Sequence, residues 1–174
     1  MTTKWFLLSY TLPGEPSSKR VLVWRHLRKL GALLDAGVWL LPDSPAMQDS
    51  LREIGDEIRA LGGRAIGFQA EDISAAQHEE LRAAYNALRR EEYAELEQRC
   101  QRFLAHVQRL TDARDFKFTA VEELEEDLEK RRRSLAQLVA RDVFGVEERR
   151  EVDSAIAACE AALTQFVESV YLAG

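Results

Sequence analysis

The spacing of hydrophobic residues divides the chain into two parts. Up to about residue 71, short apolar runs typical of strands alternate with segments whose apolar residues recur at helical spacing. From about residue 74 only helical spacing remains. We therefore predict a mixed domain over residues 1–72 and a helical region over residues 73–174. The region is expected to hold three long helices that pack as one unit with the first domain.

Strand-like and helix-like runs of the first part follow one another in the order β-α-β-β-α-β. This order predicts an α+β, ferredoxin-like domain, with both helices on one face of a four-stranded antiparallel sheet. Gly31 and Gly62-Gly63 are expected to end the helices, and Ser44-Pro45 to open the second one. The elements are predicted over residues 4–11, 17–30, 33–42 (two strands split at 35–37), 45–61 and 65–70.

The apolar residues of the first part predict its core. Val23, Trp24, Leu27 and Leu30 recur at helical spacing, so we expect them on the inner face of the first helix. Arg20 lies on the same side of the helical wheel. Trp5 and Trp39 stand in strand-like runs, and all three tryptophans are predicted to be core residues.

The helical part carries three apolar stripes with spacings of three and four residues. Ser74 with Gln77, and Thr119 with Glu122, have the spacing of capping boxes. Arg131 interrupts the second stripe and is expected to pair with an acid such as Glu92 or Asp142. Gly145 is expected to cap the end of that helix, and the two cysteines, Cys100 and Cys159, are expected to pack in the core.

Composition narrows the class of protein. The 174 residues carry a net charge of −6, and no apolar run is long enough to cross a membrane. The N-terminus lacks the pattern of a signal peptide, so we expect a cytoplasmic protein. The sequence has neither zinc-ligand spacing nor a phosphate-binding loop nor a Ser/His/Asp constellation, and we therefore expect no metal, no cofactor and no enzymatic activity.

Basic residues concentrate in the first helix, although the whole chain is acidic. Residues 17–31 contain five Lys/Arg and no acid. Arg25, Arg28 and Lys29 share one helix face and are the candidate DNA- or phosphate-binding residues. The alternative is a solvated face that lies opposite the acidic helices of the same chain. Arg20, near a helix N-terminus, is a candidate for binding an oxyanion such as sulfate, phosphate or chromate; pairing with a carboxylate is the alternative.

Several segments of the sequence resemble the N-terminal domain of the ChrB family: residues 5–13, 20–32, 37–42, 124–130 and 141–145. ChrB proteins are regarded as chromate-responsive transcriptional regulators, so the resemblance implies a regulatory role. Full-length members also carry a C-terminal chromate-resistance domain, to which none of these segments corresponds. The first forty residues are more distantly similar to the sheet domain of PaaX-type repressors and to the CRISPR adaptation nuclease subunit. Thr11 stands where that nuclease has an aspartate, which argues against nuclease activity.

Two functions fit the sequence. The first is a regulator of the ChrB N-domain type that acts in chromate-resistance control through DNA contact, protein association or both. The second is a non-enzymatic oligomerisation or adaptor module that binds no nucleic acid, with the acidic helical half contacting a protein partner. Because exposed sheet edges often pair, a homodimer is expected in either case.

Overall fold

Over the residues that the structure describes, the protein is α+β, with a four-stranded antiparallel sheet and five helices. The computed structural model describes residues 4–14, 17–71 and 74–173, without the side chains of residues 45 and 46. The elements are β1 (Trp5–Thr11), α1 (Ser18–Lys29), β2 (Leu33–Asp35), β3 (Val38–Pro42), α2 (Pro45–Ala60), β4 (Arg64–Ala70), α3 (Ala75–Asp112), α4 (Phe118–Arg141) and α5 (Arg149–Ala173).

The sheet has the strand order β2-β3-β1-β4, and each neighbouring pair is antiparallel. Trp5 is paired with Pro42 on one side and with Ala70 on the other. The tight turn predicted between β2 and β3 is confirmed: Ala36 and Gly37 both have positive φ, 46° and 78°, as a two-residue hairpin loop of type I′ requires. The predicted order of strands and helices is therefore confirmed.

The chain divides into two compact units, Met1–Leu88 and Arg89–Gly174, and the boundary falls inside α3. The predicted boundary near residue 72 coincides with the end of the sheet and the start of the helical region, since β4 ends at Ala70 and α3 begins at Ala75. The first turns of α3 nevertheless belong to the sheet unit.

In the sheet unit, α1 and α2 pack on the same face of the sheet. Leu8 and Trp39 are paired across β1 and β3 and therefore lie on one face, where they join a core with Val23 and Leu27 of α1 and Ile58 of α2. The helix ends follow the predicted signals. Ala32 N–H bonds to the carbonyl of Leu27 and Gly31 N–H to that of Arg28, which is a Schellman cap.

The opposite face of the sheet is partly covered by the first turns of α3. Trp5 is 1% exposed, and its ring meets Tyr85 edge-on at a centroid distance of 6.1 Å. The interpretation of Trp5 and Trp39 as core residues is confirmed.

In the helical unit, the three predicted stripes meet in one core. Its largest buried side chains include Phe103, Leu124 and Phe166, one from each helix. Cys100 and Cys159 are fully buried in it, as predicted, and the Cys159 thiol donates to the carbonyl of Cys100 at 3.6 Å.

Three predictions about helix ends have different outcomes. Ser74 caps α3, because its hydroxyl accepts the N–H of Gln77. Thr119 is not a cap: α4 begins one residue earlier, at Phe118, after an extended Lys117. Gly145 has a positive φ of 72° but lies beyond the end of α4, where its N–H bonds to the Asp142 carboxylate.

Arg131 pairs with an acid, as predicted, but with neither of the two acids named as examples. Arg131 is paired with Asp127, one helical turn before it, at 2.6 Å. Glu92 is paired with Arg141, and Asp142 accepts a hydrogen bond from Tyr93. Asp127 lies four residues before Arg131 on the same helix, so the two side chains are neighbours whatever the tertiary packing.

Candidate nucleic-acid interface

The outer face of α1 combines basic and apolar residues. The helix buries Val23 and Leu27 against the sheet, and eight other residues of it are exposed. Besides Ser18, these are the seven residues that we call the α1 surface: Arg20, Val21, Leu22, Trp24, Arg25, Arg28 and Lys29.

The prediction that Trp24 belongs to the core was wrong. Its side chain is 49% exposed, and the Arg28 guanidinium lies 5.9 Å from its ring centroid, within range of a cation–π contact. Val23 and Leu27 are one turn apart and define the buried seam. Each residue adds about 100° around a helix, so Trp24 falls at the flank of that seam and not at its centre.

Arg25 and Arg28 are both exposed to solvent. Within the ranges that the structure describes, neither forms an ion pair. Arg25 borders a shallow groove beside the start of α1, together with Val21, Leu22 and Leu61. Lys19 closes the base of that groove by donating to the Leu61 carbonyl at 3.0 Å.

Lys29 lies in a different environment. It lines a groove between α1 and α2 with Glu53 and Glu57. The Nδ1 atom of His26 lies 2.7 Å from a carboxylate oxygen of Glu57 in the same groove. Arg25 and Arg28 therefore make up the open part of the predicted basic stripe, while Lys29 lies beside acids.

The basic residues at the end of α1 also stabilise the helix. His26, Arg28 and Lys29 all stand in its last turn, where the partial negative charge of the helix C-terminus favours cations. This stabilisation accounts for the presence of cations at that end of the helix.

The side chain of Arg20 points outward, contrary to the predicted inner position. Its guanidinium donates to the carbonyl of Gly14 at 2.7 Å, in the segment that follows β1. The partner is thus a carbonyl and not a carboxylate, and oxyanion binding by Arg20 stays a prediction. Among the residues with a described position, no three His, Cys, Asp or Glu side chains are grouped so that they could hold a metal ion.

Sequence reasoning missed the apolar half of the α1 surface. Val21, Leu22 and Trp24 are each at least 39% exposed. A signal was present, because Val23, Leu27 and Leu30 alone complete a seam with spacings of four and three. The extra apolar residues beside that seam were therefore the sequence signal for an apolar outer face of α1.

Comparison with known proteins identifies the family. The model of the family described as Protein ChrB, N-terminal, matches residues 20–174. The chain belongs to the ChrB N-terminal family. Protein ChrB of Cupriavidus metallidurans is 32% identical over 94 residues, which make up 53% of this chain and 28% of that protein.

The ChrB match begins at Arg20 and so takes in the α1 surface together with both compact units from that residue onward. The strand β1, which carried the first segment of the resemblance, lies before the matched range. Of the five helices described, none is long and apolar enough to span a bilayer.

Proposed function

We propose that this ChrB N-terminal chain is a transcription-regulation protein of chromate-resistance control that contacts DNA through the α1 surface. Its sheet unit is proposed to be ferredoxin-like, with α1 as the outward-facing recognition helix. The role is regulatory and not catalytic. The main support for DNA contact is that Arg25 and Arg28 are exposed and have no carboxylate partner among the described residues.

The geometry of this pair fits contact with a phosphate backbone. The two guanidinium groups are three residues apart on one helix face, and residues 17–31 contain no acid. Local charge counts for more than the net charge of −6, because screening limits the reach of distant charges to about 8–10 Å at physiological salt. Trp24, held next to Arg28, supplies an apolar aromatic surface that packs against the sugars of the same backbone.

The test is the salt dependence of DNA binding. Fluorescence anisotropy with a short labelled duplex, preferably from the promoter of the chain's own gene, gives the association constant at several salt concentrations. Each phosphate contact contributes about 0.9 to the slope of log K against log salt. Arg25→Ala/Arg28→Ala/Lys29→Ala should therefore weaken binding and lower the slope by roughly 2–3.

A matched control removes the same charge elsewhere. Arg52→Ala/Arg59→Ala/Arg82→Ala deletes three exposed cations of the sheet unit, each of which already pairs with an acid on its own helix. This variant should bind almost as well as the wild type. Equal losses in the two triple variants, or no binding by the wild type at low salt, would reject the proposal.

An adaptor that binds no nucleic acid is the second candidate. The observation in its favour is the exposed apolar group of Val21, Leu22 and Trp24, which is suited to a protein contact. In that case Trp24→Ala should abolish capture of a protein partner while DNA binding is undetectable in every variant. Salt-dependent binding of DNA would count against this candidate.

The role of Arg20 in oxyanion binding can be tested separately. If Arg20 holds an oxyanion, sulfate and chromate should raise the Tm of the wild type more than that of Arg20→Ala. Equal shifts in the two proteins would remove Arg20 from the site.

A further inference from the structure

The two edges of the sheet differ in how they are protected. One edge is β2, which has three residues and ends in Asp35. The other is β4, which has seven residues and carries Ile66 and Phe68. Natural edge strands are usually short or carry charges, prolines or bulges that prevent pairing with another chain. The interior of β4 has none of these features.

Ile66 and Phe68 lie on one face of β4 and are open to solvent. They are 38% and 61% exposed, and their partners on β1 are Ser9 and Leu7. Within the described ranges β4 pairs with β1 alone, so its other edge carries backbone groups without a strand partner. A long edge with adjacent exposed apolar side chains suits strand addition.

We propose that β4 pairs antiparallel with β4 of a second copy of this chain, about a twofold axis at Gly67. This pairing is independent of whether the α1 surface binds DNA. In this register Ile66 lies opposite Phe68 of the partner, and Phe68 opposite Ile66 of the partner. The four exposed side chains then form one apolar cluster across the new seam.

The sequence of β4 is self-complementary in this register. Gly67 faces its own copy on the opposite face, where the absence of a side chain leaves room at the axis. Arg64 begins the strand and Glu71 follows its end, so antiparallel pairing brings opposite charges together at both ends of the seam. Parallel pairing would place like charges together. These features favour a second copy over an unrelated extended peptide.

Two measurements test the pairing. Analytical ultracentrifugation should give twice the chain mass of 19.8 kDa. Phe68→Lys should raise the dimer Kd at least roughly tenfold, because each dimer loses two buried rings and gains charges at the seam. Leu34→Lys changes an exposed residue of the β2 edge (48% exposed) and is the matched control, which should remain dimeric.

Cysteine cross-linking tests the register. A mixture of Ile66→Cys and Phe68→Cys chains, tagged differently, should form a disulfide that contains one chain of each kind. Directly paired residues have Cα atoms about 4.5–5.5 Å apart, which a disulfide can bridge. Each variant alone would place its cysteines diagonally, about 7–8 Å apart, and should cross-link poorly. Cys100 and Cys159 are buried, so the wild type gives the background.

The outcomes are decisive in both directions. A dimer that is weakened by Phe68→Lys and cross-linked only in the mixture supports the proposal. If the chain stays monomeric at high concentration, the β4 edge does not pair with a second copy and the proposal is overturned. A dimer that is insensitive to Phe68→Lys, or cross-links as strong in the single variants as in the mixture, would overturn it equally. Circular dichroism on each variant confirms that it is folded.

Discussion

Arg131 is a buried charged residue in the apolar seam of the helical unit, and replacing it gives a quantitative test of how that unit is stabilised. Its side chain is 6% exposed. The guanidinium donates to the carbonyl of Arg99 on α3 at 3.0 and 3.1 Å and to the carbonyl of Asp127 at 2.8 Å. It also lies 5.0 Å from the ring centroid of Phe103. Arg131 thus links α4 to α3 at the centre of the seam.

The cost of Arg131→Ala follows from these contacts. A hydrogen bond from a charged donor contributes about 1.5–3 kcal/mol, and the two bonds that share the Arg99 carbonyl cross from α4 to α3. Losing the buried aliphatic stem adds a cavity. Asp127 is half exposed and remains hydrated without its partner, so its release costs little. We expect a loss of about 2–4 kcal/mol in the free energy of unfolding.

Arg131→Met separates packing from charge. A methionine fills the same space in the seam. The carbonyls of Arg99 and Asp127 lose the guanidinium but still accept backbone hydrogen bonds within their own helices. We therefore expect a change of under about 1.5 kcal/mol. Urea unfolding followed by helical circular dichroism measures both variants, with Arg133→Ala, an exposed residue of the same helix turn, as control at under about 0.5 kcal/mol. If Arg131→Ala costs no more than Arg133→Ala, the inter-helix bond contributes nothing.

Further predictions concern titration, thiols and glycines. Burial, and after it the neighbouring charge of Asp142, raises the pKa of Tyr93 in the folded protein. Above the unfolded-state pKa of about 10, the tyrosine therefore ionises in the unfolded chain first, and this lowers the free energy of unfolding as the pH rises. Urea unfolding of Tyr93→Phe should accordingly show a weaker loss of stability above pH about 10 than the wild type, and parallel curves would contradict this. Cys100 and Cys159 are buried and should react with a thiol reagent only at the rate of unfolding; fast reaction in the native state would refute their core position. A Cβ at Gly63 would clash with the Thr11 carbonyl oxygen, so Gly63→Ala should lower the Tm markedly. A Cβ at Gly55 meets only ordinary contacts, and Gly55→Ala should stabilise α2 by about 0.5–1 kcal/mol; similar effects of the two substitutions would refute this distinction.

The order of elements was predictable because it depends on local signals. Gly31, Gly37 and Gly62 adopt positive φ in the structure, and Ser44 caps α2 through the N–H of Met47. Such signals act over a few residues, so the sequence contains all that is needed to interpret them. Thr119 shows their limit: the capping-box spacing is present, but the helix starts one residue before it.

The candidate site was predicted less completely, because exposure depends on residues far away in the chain. Arg25 and Arg28 could be placed on one face from spacing alone. Which side of α1 meets the sheet depends on where Leu8 and Trp39 stand, and for this reason Trp24 and Arg20 were placed inward. The partner of Arg131 was missed for the opposite reason: the expected partners were distant in sequence, while Asp127 was four residues away.

The position of β1 in the sheet has a consequence for synthesis on the ribosome. β1 emerges first but lies between β3 and β4, and its second neighbour is the last strand to be made. The β2–β3 hairpin can form and recruit β1 while residues 64–70 are still inside the ribosome. Until they emerge, one backbone edge of an aromatic-rich strand stays unpaired in a partly folded nascent chain, the kind of intermediate that aggregates or binds chaperones. The rate at which the ribosome passes residue 70 therefore sets how long each new molecule carries this hazard.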